Sequence, residues 1–200
     1  MDYLEGLFLG VQWSDTDFGN RRHISSLALY GVLVNALILL NYFTGKLSGL
    51  IVGNFTGKLI LFMVLFVACP FICFRYYRFP IWAKIPILLI QALKQALLIL
   101  IMISWARPKL TMAPGDLKDA LIDYLNNTLE AHTLRYAESA GTFATVLGVI
   151  SGGVYIVFVF LAAIVLALVV PGILFFLVRM IQLGYDKVIA KFILADHIDR

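Results

Sequence analysis

An all-α membrane fold that crosses a bilayer about four times follows from three observations on the 200-residue sequence. Hydrophobic residues make up 62% of it and charged residues only 14%, against about 45–50% and about 25% in soluble domains. The mean hydropathy is +0.92. The apolar residues gather into four long stretches, and nearly all the charges lie between them. In a bilayer core the backbone must satisfy its own hydrogen bonds, so such stretches are helices. One membrane domain uses the whole chain.

The first 26 residues hold a short mixed segment and then a polar one. Phe8, Leu9 and Trp13 suit either a membrane interface or a solvated tail. Arg21-Arg22 precede the first apolar run without a small-x-small cleavage site, so that run is expected to be retained. Span one, 27–43, is at the lower length limit for about 30 Å of hydrocarbon, and Ser25 and Ser26 stand where a helix cap belongs. In the next loop Phe-Thr-Gly-Lys-Leu occurs twice, at 43–47 and 55–59, which reads as reuse of a turn sequence. Asn54 and Asn126 begin Asn-x-Thr matches, which mean glycosylation only in a secretory eukaryotic setting.

Span two is 59–74, or starts from Leu50. Pro70 near its end removes one donor and leaves a carbonyl for neighbours to satisfy. Arg75, Arg78 and Lys84 then interleave with Tyr76, Tyr77 and Trp82, as in an interfacial belt. Span three is 85–105. The polar segment 106–141 follows, with Leu117, Leu121, Leu125 and Leu129 at a four-residue step. That step predicts an amphipathic helix over 116–138 with an external docking stripe, and Asp116, Asp119 and Asp123 suit its N-terminal turns. The last stretch, 142–178, has no charge before Arg179. One long helix kinked at Pro171 is favoured over two short spans or a re-entrant segment. The tail 179–200 continues at helical spacing.

With four spans, nine Lys and Arg residues fall on the side of the termini and six on the other. This bias places both termini in the cytoplasm of a multi-pass, inner-membrane protein. Five spans would leave five cations inside and ten outside.

Lys94 sits about halfway along span three, where a cation costs about 2.5–3.5 kcal/mol to insert. Gln91 and Gln95 flank it. Since no acid occurs within the four spans as drawn, Asn35 and Asn41 are its expected partners, in a polar seam between subunits or a pore lining. Gly148, Gly152 and Gly153 offer a small-residue packing surface, with Pro171 beyond them. Cys69 and Cys73 share a helix face and read as buried small hydrophobes. No metal, cofactor or catalytic residue is expected: His23, His132 and His197 lie on separate segments, and no GxSxG, HExxH or Walker A string occurs. Nor does any basic-aromatic stripe suggest nucleic acid.

Two functions compete. One is a non-catalytic homo-oligomeric sensor or anchor for a cytosolic effector. The other is a small channel or transporter with a polar path along span three. The layout of spans 27–43, 59–74, 85–105 and 142–178, with the external segment 116–138, resembles the KwaA family, the membrane component of the bacterial Kiwa anti-phage system. That resemblance implies an oligomeric inner-membrane sensor that recruits the soluble partner KwaB.

Overall fold

Long apolar runs with helix-favouring residues and few internal breakers become helices because each closes its backbone hydrogen bonds within itself. The computed structural model describes residues 2–14, 24–47, 49 and 54–195. Among these the fold is helical, with no strand. The helices are α1 (Asp2–Leu9), α2 (Ile24–Thr44), α3 (Phe55–Cys73), α4 (Ile81–Ala106), α5 (Leu117–Ala140) and α6 (Ala144–Phe192). Four segments are long and apolar enough to cross a membrane: Ser25–Thr44, Phe55–Cys73, Ile81–Lys109 and Gly141–Phe192. The fold is all-α and polytopic. Arg21, Arg22, His23, His197, Arg200 and the alternative start of span two at Leu50 lie outside the described residues.

The repeated pentapeptide adopts two structures, not one turn. The first copy ends α2, where Gly45 takes a left-handed φ of +64° and its N–H donates to the Asn41 carbonyl at 2.9 Å. A helix commonly stops this way, because glycine bears no Cβ to clash there. The second copy opens α3, because Asn54 stands before it and its side chain accepts from the Gly57 N–H at 3.2 Å, an N-cap. What precedes the pentapeptide decides its fate.

Span three begins at Ile81 rather than 85, and the final helix runs unbroken through Pro171 from Ala144 to Phe192, 49 residues. At 1.5 Å per residue it is about 74 Å long, well beyond about 30 Å of hydrocarbon. Apolar run and tail are one helix as far as Phe192, as the helical spacing of the tail leads one to expect.

Two compact units share this helix. One, the bundle, holds α1 to α4 and the part of α6 from Val170 onward. Its core lies in two clusters. Tyr30, Val34, Phe62, Leu97, Leu98 and Phe175 form one, with the Tyr30 and Phe175 rings stacked at 4.2 Å. Leu9, Trp13, Cys69, Cys73, Tyr76, Ile87, Ile189, Ala190 and Leu194 form the other. Leu9 and Trp13 thus pack into the core and not into a solvated tail. Glycine at 172 admits α2: a Cβ there would run into Leu27.

The other unit, Leu110–Val169, is a helical hairpin. The four-residue leucine step does form a helix, but Leu117 and Leu121 are exposed. Leu129 turns inward against Gly152 of α6, where a Cβ would come within 2.9 Å of its side chain. A Cβ on Gly148 would overlap Thr133. His132 Nδ1 lies 3.1 Å from Ser151 Oγ, and its ring packs on Tyr155 at 5.3 Å. Tyr124 meets Phe160 edge-on at 6.4 Å. Rising numbers on α5 meet falling numbers on α6, so the pair is antiparallel. Gly153 has no described atom within 4 Å of its would-be Cβ and takes no part.

Candidate functional site

Pro70 starts the chain of consequences that builds the site. Having no N–H, it leaves the Phe66 carbonyl without its helical donor. Gln182 of α6 supplies one: its Nε2 donates to Phe66 O at 3.3 Å. The same nitrogen donates to Asp186 Oδ1 at 2.6 Å, one helical turn further on. The other carboxylate oxygen, Oδ2, accepts from the indole N–H of Trp13 at 3.0 Å. Asp186 is thereby 1% exposed and doubly hydrogen-bonded, as a buried carboxylate has to be.

Lys94 of α4 enters the same region. Its Nζ donates to Cys69 Sγ at 3.3 Å, and it is 6% exposed. Gln91, 0% exposed, donates through Nε2 to Cys73 Sγ at 3.3 Å and accepts from the Cys69 thiol at 3.5 Å. The two free thiols lie 4.0 Å apart. Asp186 is within electrostatic reach of Lys94 and of both thiols. Seven side chains from α3, α4, α6 and the segment after α1 thus form two buried hydrogen-bonded sets, Cys69, Cys73, Gln91 and Lys94 in one and Trp13, Gln182 and Asp186 in the other, within electrostatic reach of each other.

Sequence reasoning found Lys94 and Gln91 but misassigned their partners. Asn35 spends its amide on Gly31 O of its own helix at 2.8 Å. Asn41 is buried, yet its Oδ1 accepts no hydrogen bond and no bond joins it to Lys94. Gln95 is only half-buried and lines an apolar cavity of about 560 Å³ with Tyr30, Leu33, Ala96, Ile99 and Phe175. An acid within electrostatic reach of Lys94 is Asp186, on the helix that carries the last apolar run, beyond the charge-free part that ends at 178. Within the chain, Lys94 and Gln91 find their hydrogen-bond partners in Cys69 and Cys73. Gln182, Trp13 and the two cysteines were missed as site residues. The signal that pointed toward Gln182 was Pro70, whose orphan carbonyl demands a donor.

Beside the second core cluster, cations and aromatic rings of the segment 74–84 come together. Lys84 lies over the Tyr76 and Tyr77 rings at 5.3 and 5.7 Å, and Arg75 over Phe74 at 5.1 Å, cation–π distances. Tyr76 itself is buried. Burial, with the Glu5 carboxylate second, pushes its phenol up to about 12, so it stays neutral at any physiological pH.

These features define the class: an all-helical polytopic protein with a buried, mixed-charge cluster in its bundle. No family model, no curated protein and no solved structure matches the chain.

Proposed function

We propose that this chain is a non-catalytic, oligomeric subunit of the bacterial inner membrane, with both termini in the cytoplasm, that senses or anchors and holds a cytosolic effector. Anti-phage defence of the KwaA kind is the setting its layout suggests. The observation that carries the reading is the unbroken helix α6. It supplies one arm of the hairpin and, further along, Gln182 and Asp186 of the buried cluster. A stiff element with a polar lock near one end suits a part that transmits or holds a state, since a packed helix has discrete positions rather than a continuum. The buried cluster favours this reading over a pore along α4. Pore lining needs Gln91 and Lys94 on an exposed face of the protomer, and they are 0% and 6% exposed within it.

The test is affinity purification in detergent with the soluble product of a neighbouring gene co-expressed. Removing residues 184–200 would also remove Asp186 from the bundle, so the informative variant is Lys187→Glu/Lys191→Glu, whose side chains are exposed. Wild type retains a soluble partner and the double variant loses it. Clean isolation of the chain alone, together with liposome currents abolished by Lys94→Leu, would favour the channel and sink the proposal.

A further inference from the structure

Cys69 and Cys73 are the only cysteines in the chain, and both are buried free thiols. A disulfide between them is disfavoured by their spacing. Residues four apart on a helix hold their Cβ atoms about 5–6 Å apart, whereas a disulfide needs about 3.5–4.5 Å. Oxidation would therefore force the last turn of α3 to deform. A bridging metal ion meets no such obstacle. Metal–thiolate bonds of about 2.3 Å span up to about 4.6 Å between sulfurs, and the Sγ atoms stand 4.0 Å apart.

The donor set selects the ion. Among the described residues no group of three Cys, His, Asp or Glu side chains could hold a metal, so zinc lacks the four ligands of a closed site. Soft monovalent copper prefers thiolate sulfur and is satisfied by two. In sequence no histidine or acid lies near the two cysteines, which argues against a metal; the fold brings Asp186 within electrostatic reach of both thiols, and two-coordination needs no third ligand.

The surroundings offer the resulting anion a cation and donors on the sulfurs, with the Asp186 carboxylate within electrostatic reach as the opposing charge. Binding replaces two thiol protons by one cuprous ion: two S–H bonds break, two Cu–S bonds form, and two protons leave to water. The product is a bis-thiolate complex with a net charge of −1. A buried anion needs a cation and hydrogen-bond donors. The Lys94 ammonium lies 3.3 Å from Cys69 Sγ and the Gln91 amide 3.3 Å from Cys73 Sγ, one donor on each sulfur. We infer that Cys69 and Cys73 form a two-coordinate site for cuprous copper inside the bundle, with Lys94 and Gln91 donating to the bound sulfurs. This goes beyond the sensor-or-anchor reading and does not depend on it.

The experiment is anaerobic titration of the full-length detergent-purified protein with cuprous ion delivered from its bicinchoninate complex, followed by loss of the chelate's colour. One equivalent per chain is expected. Cys69→Ser and Cys73→Ser should each weaken uptake by at least about 100-fold, as thiolate is the soft ligand. Lys94→Leu should weaken it by about 10-fold, in the range of outer-shell changes. X-ray absorption of the loaded wild type should report two sulfur neighbours, which holds the inference open to refutation even if a variant fails to fold. No uptake by folded wild type, uptake that survives both serine variants, or a copper site with nitrogen or oxygen neighbours in place of the two sulfurs would each overturn it.

Discussion

In the bundle, five polar or charged side chains are buried among the described residues: Asn41, Gln91, Lys94, Gln182 and Asp186. In the hairpin of α5 and the first part of α6, the buried positions among the described residues are Ala144, Gly148 and Gly152. The first unit is tied together by hydrogen bonds between helices, the second by backbones that approach because side chains are missing. Apolar contact alone specifies little where lipid tails are as apolar as leucine, and these are the two remedies available. The bundle's remedy is costly if incomplete, since a buried charge that loses its partner is left exposed to low dielectric. The hairpin's remedy is intolerant of added volume but holds no charge to strand. Substitutions should therefore break the two units by different rules.

The largest effect is expected at Asp186. Asp186→Ala leaves the Trp13 indole and the Gln182 amide without their acceptor and removes the carboxylate within electrostatic reach of Lys94, at a cost of about 1.5–3 kcal/mol for each hydrogen bond to the charged group. Thermal unfolding in detergent would register it as a large fall in the midpoint. Lys94→Met/Asp186→Ala should fall less than the sum of the single variants, because it removes both charges. Strict additivity would mean that the two do not interact.

Next comes Gly148→Val. The added side chain meets Thr133, main-chain atoms included, and overpacking of this kind costs about 1–3 kcal/mol. The hairpin should lose protection in hydrogen exchange over α5 while the α3 and α4 amides keep theirs. Loss spread evenly over both units would erase the distinction drawn above. Gln182→Leu is expected to cost about 1–3 kcal/mol, the price of an unsatisfied buried acceptor, and here the protection lost should centre on the turn of α3 before Pro70.

Much of this architecture is legible in the sequence, and the part that is not has a clear cause. The spans can be read because composition along the chain reports burial in lipid directly. Lys94 is conspicuous for the same reason, and Gly148 and Gly152 by their spacing. Their partners are another matter. Asp186 is 92 positions from Lys94 and Trp13 is 173 from Asp186, and local patterning carries no information about which helices meet or in what rotation. Asn35 seemed a fit partner by type alone, but a side-chain amide on a helix can turn back on its own carbonyl four residues earlier, as it does here. The continuation of the last helix past 178 is legible in its helical spacing, and Arg179, Asp186 and Lys187 do lie on an unbroken helix; the spacing does not tell which of them turns into the bundle. Gly172 escaped notice beside the more conspicuous Pro171, although the glycine, not the proline, makes the room for Leu27.

The smallest expected effect sharpens the comparison most, because it reverses sign within one short motif. Gly148, Gly152 and Gly153 look alike as sequence, yet only the first two face α5. Gly153 lies inside α6 with no described atom near its would-be Cβ, so nothing opposes a methyl group there. Glycine in a helix interior gives the unfolded chain extra freedom, and replacing it where the backbone is compatible stabilises by about 0.4–1 kcal/mol. Gly153→Ala should therefore raise the unfolding midpoint slightly, while Gly152→Ala, one residue away, should lower it against the Leu129 side chain. If a second copy of the chain covers Gly153 in an oligomer, the sign changes: Gly153→Ala becomes destabilising, and its effect grows with protein concentration. Unfolding at two concentrations thus separates a glycine that faces lipid from one that faces a neighbour, and so reports whether this side of α6 is the one along which subunits assemble.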